Sequence, residues 1–233
     1  SIYDDAGIAA TYVGHPLASA IPTQVDADAA RARLGLSSGG PLVALLPGSR
    51  RAEVEYIGPS FIDAARLMLR REPRLRFVLP VAEPGLRAAL APALAAAAEA
   101  AERIMVIDGR SHDCLEAADG VLVASGTATL EAALFGRPMV IAYRMPPSSY
   151  WIMRQMGTVR FVGLPNILAG EALVPELIQH DATGERLAEA LLTMLDDTLR
   201  CDRLRQRFAR MHEELRRDTP RLAAEAICAT MRT

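Results

Sequence analysis

No lysine occurs in the 233 residues, so all 26 basic side chains are arginine. Genome composition suffices to explain the bias, but the absence has a chemical consequence. A P-loop needs G-x-x-x-x-G-K-[ST], and both its lysine and its spacing are missing. The G-x-G-x-x-G pattern is missing too, which disfavours ordinary dinucleotide binding. Cysteine is scarce: Cys114, Cys201 and Cys228 stand far apart with no C-x-x-C spacing. That set argues against a disulfide framework or a zinc site and suits a reducing cytosol. No apolar run reaches eighteen residues, so no membrane-spanning helix is expected. The opening Ser-Ile-Tyr-Asp-Asp-Ala-Gly lacks the basic region and apolar core of a signal peptide. It also lacks an initiating methionine, which suits a processed chain or a fragment. Net charge is −2, giving no indication of a nucleic-acid partner.

What is present is apolar material. Half the residues are hydrophobic and few are aromatic, enough for a sizeable core. Short continuous apolar runs occupy Leu42–Pro47, Leu75–Val81, Ile104–Asp108, Gly120–Ala124 and Met139–Tyr143. Continuous rather than alternating runs predict strands covered on both faces. Helices are predicted between them over Pro59–Arg71, Pro84–Ala101, Ser111–Ala118 and Thr127–Gly136, with prolines at two starts and Gly136 with Pro138 as a stop. Such alternation predicts an α/β fold, a doubly wound parallel sheet. Three helices, Thr183–Asp196, Leu199–Arg217 and Pro220–Met231, are predicted to end the chain. The organisation is therefore read as a hinge segment over 1–22, a Rossmann-like domain over 23–182 and C-terminal helices over 183–233. Within the first segment, Tyr-Val-Gly-His-Pro reads as a short strand followed by a turn.

In doubly wound sheets the ligand sits beyond the carboxyl ends of the strands. Two strand-to-helix turns have suitable chemistry there. Pro47-Gly48-Ser49-Arg50-Arg51 offers close backbone approach at Gly48 and a planar cationic fork at Arg50 that suits phosphate oxygens. A plain turn with solvated arginines is the equal alternative. The second turn, Ser125-Gly126-Thr127-Ala128-Thr129, opens a helix with small residues, and helix N-termini favour anions. Its hydroxyls can cap the helix or reach a phosphate. Glu131 follows in the second turn of that helix. A carboxylate would repel a diphosphate but can accept hydrogen bonds from the vicinal hydroxyls of a ribose. A favourable helix-dipole charge, worth about 0.3–1 kcal/mol, is an equally good account from the residues alone.

The ordered segments Leu-Leu-Pro-Gly-Ser-Arg-Arg-Ala-Glu-Val, Ser-Gly-Thr-Ala-Thr-Leu-Glu-Ala-Ala-Leu-Phe-Gly-Arg-Pro-Met-Val-Ile-Ala-Tyr-Arg and Leu-Pro-Asn-Ile-Leu-Ala-Gly, preceded by Tyr-Val-Gly-His-Pro-Leu-Ala, resemble the C-terminal half of the lipid-A-disaccharide synthases. The resemblance covers nearly the whole chain. It implies one Rossmann-like half of a glycosyltransferase B fold, from an inverting, metal-independent family with no cofactor beyond its UDP-sugar substrate. That family joins UDP-2,3-diacylglucosamine to 2,3-diacylglucosamine 1-phosphate (lipid X), giving lipid A disaccharide 1-phosphate and UDP. The resemblance implies donor binding by Gly48, Ser49 and Arg50 and by Ser125, Gly126, Thr127, Ala128 and Thr129 around the diphosphate. It further implies the ribose on Glu131 and uracil against backbone near Asp108 and Gly109. Arg50 and Asn166 are the implied catalytic contacts.

The N-terminal acceptor half of that family, with the aspartate thought to supply the general base, has no counterpart in the sequence. The isolated chain is accordingly expected to bind UDP or the donor and to be catalytically poor. Another B-fold UDP-sugar transferase, a UDP-sugar epimerase and a non-catalytic interaction module are the rival readings. His15 is a candidate hinge contact, with a structural turn as the alternative, and Ser19 departs from the family's usual aspartate. His112, Asp113 and Cys114 are adjacent but should diverge on a helix. Tyr150–Met153, with Met145 and Met156, and the arginine-rich helix over 199–217 are candidates for membrane-surface contact, against core packing and a solvated face. A cytoplasmic location at the inner membrane of a Gram-negative bacterium is the resulting expectation. The helical tail could also pack on the absent half, on this domain or on a second copy in a homodimer.

Overall fold

The computed structural model describes residues 6–36, 39–146, 150 and 160–231. Among these, six strands form one parallel sheet: β1 (Leu42–Leu46), β2 (Arg76–Val81), β3 (Ile104–Asp108), β4 (Gly120–Ala124), β5 (Met139–Tyr143) and β6 (Glu176–Ile178). Their order is β3-β2-β1-β4-β5-β6. The chain winds outward from β1 to one edge, then returns to the other side of β1 and winds to the opposite edge. Every residue of β1 and β4 is buried, which is why these strands read as unbroken apolar runs. Edge strand β3 is only partly covered, and its Met105 is exposed.

The helices are α1 (Pro16–Ala20), α2 (Ala27–Arg33), α3 (Arg51–Arg71), α4 (Pro84–Ala96), α5 (Ser111–Ala117), α6 (Thr127–Leu134), α7 (Leu164–Ala169), α8 (Gly184–Asp196), α9 (Thr198–Leu215) and α10 (Thr219–Thr230). Helices α3, α4 and α8 pack as one layer, α3 touching both others; α2 with α5, and α6 with α9, form further pairs. Helix α8 also lies on β4 and β5, so it belongs to the sandwich rather than to a separate tail. Helix α9 buries Cys201, Leu204, Phe208, Met211 and Leu215, one stripe at three- and four-residue spacing. It therefore packs on this domain, against α6 and α1, with its arginines on the remaining surface. Fully buried Phe61, Phe77 and Phe208 each contribute about 1.5–3 kcal/mol of burial energy to the core.

Three local expectations change. Helix α3 starts at Arg51, eight residues before Pro59. Pro59 lies on the exposed side of the helix, and the carbonyl its missing N–H would have engaged belongs to Glu55, an exposed residue. The helix predicted over Pro84–Ala101 ends at Ala96 and is followed by a 3-10 turn over Ala98–Arg103; Leu86, Leu90 and Ala100 are buried. No strand forms at Tyr12–Val13. That segment instead docks on the end of α9, with the His15 N–H donating to Leu215 O at 2.9 Å and Arg217 stacked on Tyr12. The apolar candidate at Tyr150–Met153 and Met156 lies outside the described residues except for Tyr150. Among the described residues no helix is long and apolar enough to cross a membrane.

Candidate functional site

The strand order reverses between β1 and β4, and a crevice of about 520 Å³ opens at their carboxyl ends. Four separate stretches of sequence wall it, three of them being Leu46 to Glu53 after β1, Gly109 and Ser111 after β3, and Ala124 to Glu131 after β4. Pro80 to Ala82 close the side at the end of β2, beyond Val78, the last β2 residue paired to β1. Its size is within the range of small-molecule sites.

The first turn depends on Gly48. Its φ is +114°, and an added Cβ would lie 2.5 Å from Glu53 Oε2 and 2.9 Å from Glu53 Cβ. Glu53 can fold back over the turn only because that position is bare. From there it meets the Arg50 guanidinium at 3.0 Å, and it accepts the Arg50 N–H at 3.4 Å. Arg50 is the extended residue before α3, and its side chain is 82% exposed at the cavity rim. An exposed pair of this kind holds weakly, so Arg50 is free to exchange Glu53 for a better anion.

The second turn is fastened from behind. Gly126, at φ +149° and ψ −165°, adopts backbone that is essentially reserved for glycine and precedes the eight residues of α6. Ser125 Oγ donates to Val162 O at 2.8 Å, and Thr129 Oγ1 donates to Gly126 O at 2.8 Å while accepting the Leu164 N–H at 3.2 Å. Thr129 is fully buried and does not wall the cavity. Its expected phosphate contact is thereby corrected: its hydroxyl holds the turn in shape. Thr127 and Ala128 do line the cavity, and the N–H groups of a first helical turn have no intrahelical acceptor. The turn therefore offers backbone donors, with the hydroxyls of Ser125 and Thr129 turned to the protein's own carbonyls.

Asn166 also lies outside the cavity lining. It is fully buried in α7, with Nδ2 donating to Val174 O and to Glu176 Oε1, each at 2.9 Å, while Oδ1 accepts the Val174 N–H at 3.0 Å. Both its N–H groups and one lone pair of its oxygen are used inside the protein. Glu176 in turn accepts the N–H groups of Val162 and Gly163 at 2.8 and 2.9 Å. Asn166 and Glu176 thus hold the strand of residues that grips Ser125 and Thr129, one layer removed from the cavity.

Asp108 is not part of the cavity lining, and its side chain pairs with Arg87 at 3.1 Å. Gly109 lines the cavity, but its N–H donates to Val81 O at 2.7 Å. His15 Nδ1 accepts the Leu17 N–H at 3.2 Å and caps α1. Gly48, Ser49, Arg50, Gly109, Ser125, Gly126, Thr127, Ala128 and Glu131 are the expected residues that meet at the cavity.

The His112–Asp113–Cys114 grouping disperses. Asp113 receives Arg33 at 2.8 Å and Arg110 at 3.0 Å. Burial opposes its charge, yet these two guanidinium bonds hold the carboxyl below its ordinary range. Burial, with the Asp113 charge beside it, pushes the Cys114 thiol up to about 12, which makes it inert. His112 instead turns to Glu131, with Nε2 and Oε2 3.6 Å apart. Sequence reasoning missed Glu53, Ser111 and this His112 contact. Only Glu53 carried a signal, as an acid three residues after the residue preceding a helix.

The chain matches the family described as lipid-A-disaccharide synthetase over residues 1–230. It is 52% identical over 227 residues to the lipid-A-disaccharide synthase of Burkholderia vietnamiensis, and 51% identical over 226 residues to that of Burkholderia mallei. Each match takes in 97% of this chain and 58% of the relative, so the chain spans little more than half the length of these proteins. In fold it is similar to a sucrose-phosphate synthase from Thermosynechococcus elongatus, with TM-score 0.61 and 15% identity over 94% of this chain and 51% of the other. It is similar also to a glycosyltransferase of lipopolysaccharide biosynthesis, with TM-score 0.53 and 15% identity over 86% and 49% of the two chains. These likenesses establish the Rossmann-like half of a B-type glycosyltransferase fold. With the sequence matches, they establish that the chain belongs to the lipid-A-disaccharide synthase family.

Proposed function

We propose that the crevice binds the UDP portion of a UDP-sugar, and that the chain is the donor-binding part of an enzyme joining UDP-2,3-diacylglucosamine to lipid X. The observation that carries this reading is the meeting of four distant segments around one cavity. A helix N-terminus with free backbone donors, a mobile-headed arginine and a carboxylate one sugar-length further along the same helix stand together there. A nucleoside diphosphate has groups for each: phosphate oxygens for the α6 N-terminus and Arg50, ribose hydroxyls for Glu131.

In transfer with inversion, the acceptor hydroxyl attacks the anomeric carbon as UDP leaves from the opposite face. Negative charge then grows on the diphosphate. The α6 dipole and its N–H groups are fixed where that charge develops, Arg50 swings in to join them, and together they stabilise the transition state more than the ground state. Glu131 has no part in the bond exchange and fixes the nucleotide. The proton from the acceptor is assigned to a base outside these cavity residues, in the acceptor half that the family resemblance implies. We therefore expect the chain to bind the donor and to form little disaccharide by itself.

Calorimetric titration of UDP into the chain and into Glu131→Ala tests the reading. Loss of one hydrogen-bonded charged contact should weaken binding about ten- to a hundredfold. Equal affinity in the two proteins would retire the ribose role. Absence of binding in both would retire the site. A donor panel of acylated UDP-glucosamine and plain UDP-N-acetylglucosamine separates this reading from a general UDP-sugar transferase or epimerase.

A further inference from the structure

Glu131 is 18% exposed and partly lines the cavity, while His112, at 48%, stands beside it without lining it. The imidazole meets Glu131 Oε2 at 3.6 Å, and its ring packs edge-on against Phe135, with centroids 5.4 Å apart and planes at 65°. Phe135 is buried at the end of α6, one helical turn beyond Glu131. The ring is thus located by packing at one side and by a carboxylate at the other.

The neighbouring charges explain why His112 faces this acid. Asp113 is held by Arg33 and Arg110, and Glu116 by Arg33 at 2.5 Å, so both acids on α5 are already engaged by guanidinium groups. Among the described residues, His112 supplies the only nitrogen of a basic side chain within 4.0 Å of the Glu131 carboxylate. A separation of 3.6 Å is beyond a good hydrogen bond, so the contact acts through charge and dipole. An N–H on Nε2, in the imidazolium or in that neutral tautomer, directs its positive end at Oε2.

We propose that His112 is a positioning residue for sugar selection: it fixes the Glu131 carboxylate so that its remaining lone pairs receive the vicinal hydroxyls of a ribose. This rests on the assignment of the ribose to Glu131. An unrestrained glutamate samples several rotamers, and each hydroxyl bond it forms then carries an ordering cost. A carboxylate held at one oxygen presents the other side ready-made. His112 therefore contributes to discrimination between ribose and deoxyribose while touching neither.

Titrations of UDP and 2′-deoxy-UDP into the chain, His112→Ala, His112→Gln, Glu131→Ala and the double alanine variant test this. The expected result is that His112→Ala lowers the preference for UDP about three- to tenfold, with 2′-deoxy-UDP affinity little changed. Glutamine, which can place an amide N–H near Oε2, should restore part of the preference, and the double variant should discriminate no worse than Glu131→Ala alone. The inference is overturned if His112→Ala keeps the full preference while Glu131→Ala loses it. It is overturned equally if both nucleotides weaken together as thermal stability falls, which is the mark of lost packing on Phe135. Should the unaltered chain fail to bind UDP, or Glu131→Ala keep full discrimination, the ribose assignment itself falls and this inference with it.

Discussion

The two turns that wall the crevice reach similar ends by opposite means. After β1, Gly48 gives way to Arg50 and Glu53, two charged side chains held by one weak exposed contact. After β4, Gly126 is flanked by small residues, and the hydroxyls of Ser125 and Thr129 bind the protein's own backbone. The first turn offers a side chain that can reorient; the second offers backbone that is already fixed. An anion held between them meets one adaptable charge and one rigid set of dipoles, which suits a diphosphate whose charge increases during reaction.

The comparison is broken most severely by alanine at the glycines. Gly48→Ala combines a positive φ with a Cβ that collides with Glu53, and should destabilise by about 3 kcal/mol or more. Gly126→Ala meets nothing within 4 Å and should lose the backbone term alone, about 1–3 kcal/mol. Urea unfolding of the two variants measures the gap, and equal losses would mean that the Glu53 contact is unimportant. Asn166→Ala comes next. It leaves buried partners unsatisfied behind the second turn and should cost about 1–3 kcal/mol, read by the same unfolding experiment.

Arg50→Ala sharpens the contrast from the other side. It should leave stability within about 0.5 kcal/mol, weaken UDP about tenfold and flatten the dependence of UDP binding on salt. A variant that unfolds, or binds UDP with its salt dependence intact, would show that the first turn does not act through this charge. The smallest effect concerns Asp113, near the crevice but outside it. Its carboxyl is depressed in the folded state, so its stabilisation is present above the unfolded value near 3.9 and disappears as pH falls through the lower folded value. Stability of the unaltered chain should drop relative to Asp113→Asn by under about 1 kcal/mol below pH 4 in acid titration, with UDP affinity at neutral pH unchanged.

The sheet was legible because its strands are covered on both faces: Leu42–Leu46, Gly120–Ala124 and Met139–Tyr143 needed no partner to be recognised. Glu176–Ile178 was not, since three half-buried residues at an edge carry no pattern of their own. The start of α3 was hidden by Pro59, whose harmless position depends on which side of the helix meets water. For the site, Gly48, Arg50, Gly126 and Glu131 were legible as the chemistry of two turns. The inward roles of Thr129 and Asn166 were not, because a hydroxyl or amide looks the same in sequence whether it faces a ligand or the protein's interior. The His112–Glu131 contact joins two helices and has no sequence signature at all.

The fastening of the β4 turn by Ser125, Thr129 and the Val162–Leu164 segment has a consequence for the thermodynamics of capture. A loop that must organise around its ligand surrenders conformational entropy at the moment of binding, and that loss is subtracted from the affinity. Here the ordering took place when the chain folded. What remains to be immobilised is the incoming molecule and the head of Arg50, so even a modest number of contacts can translate into useful affinity.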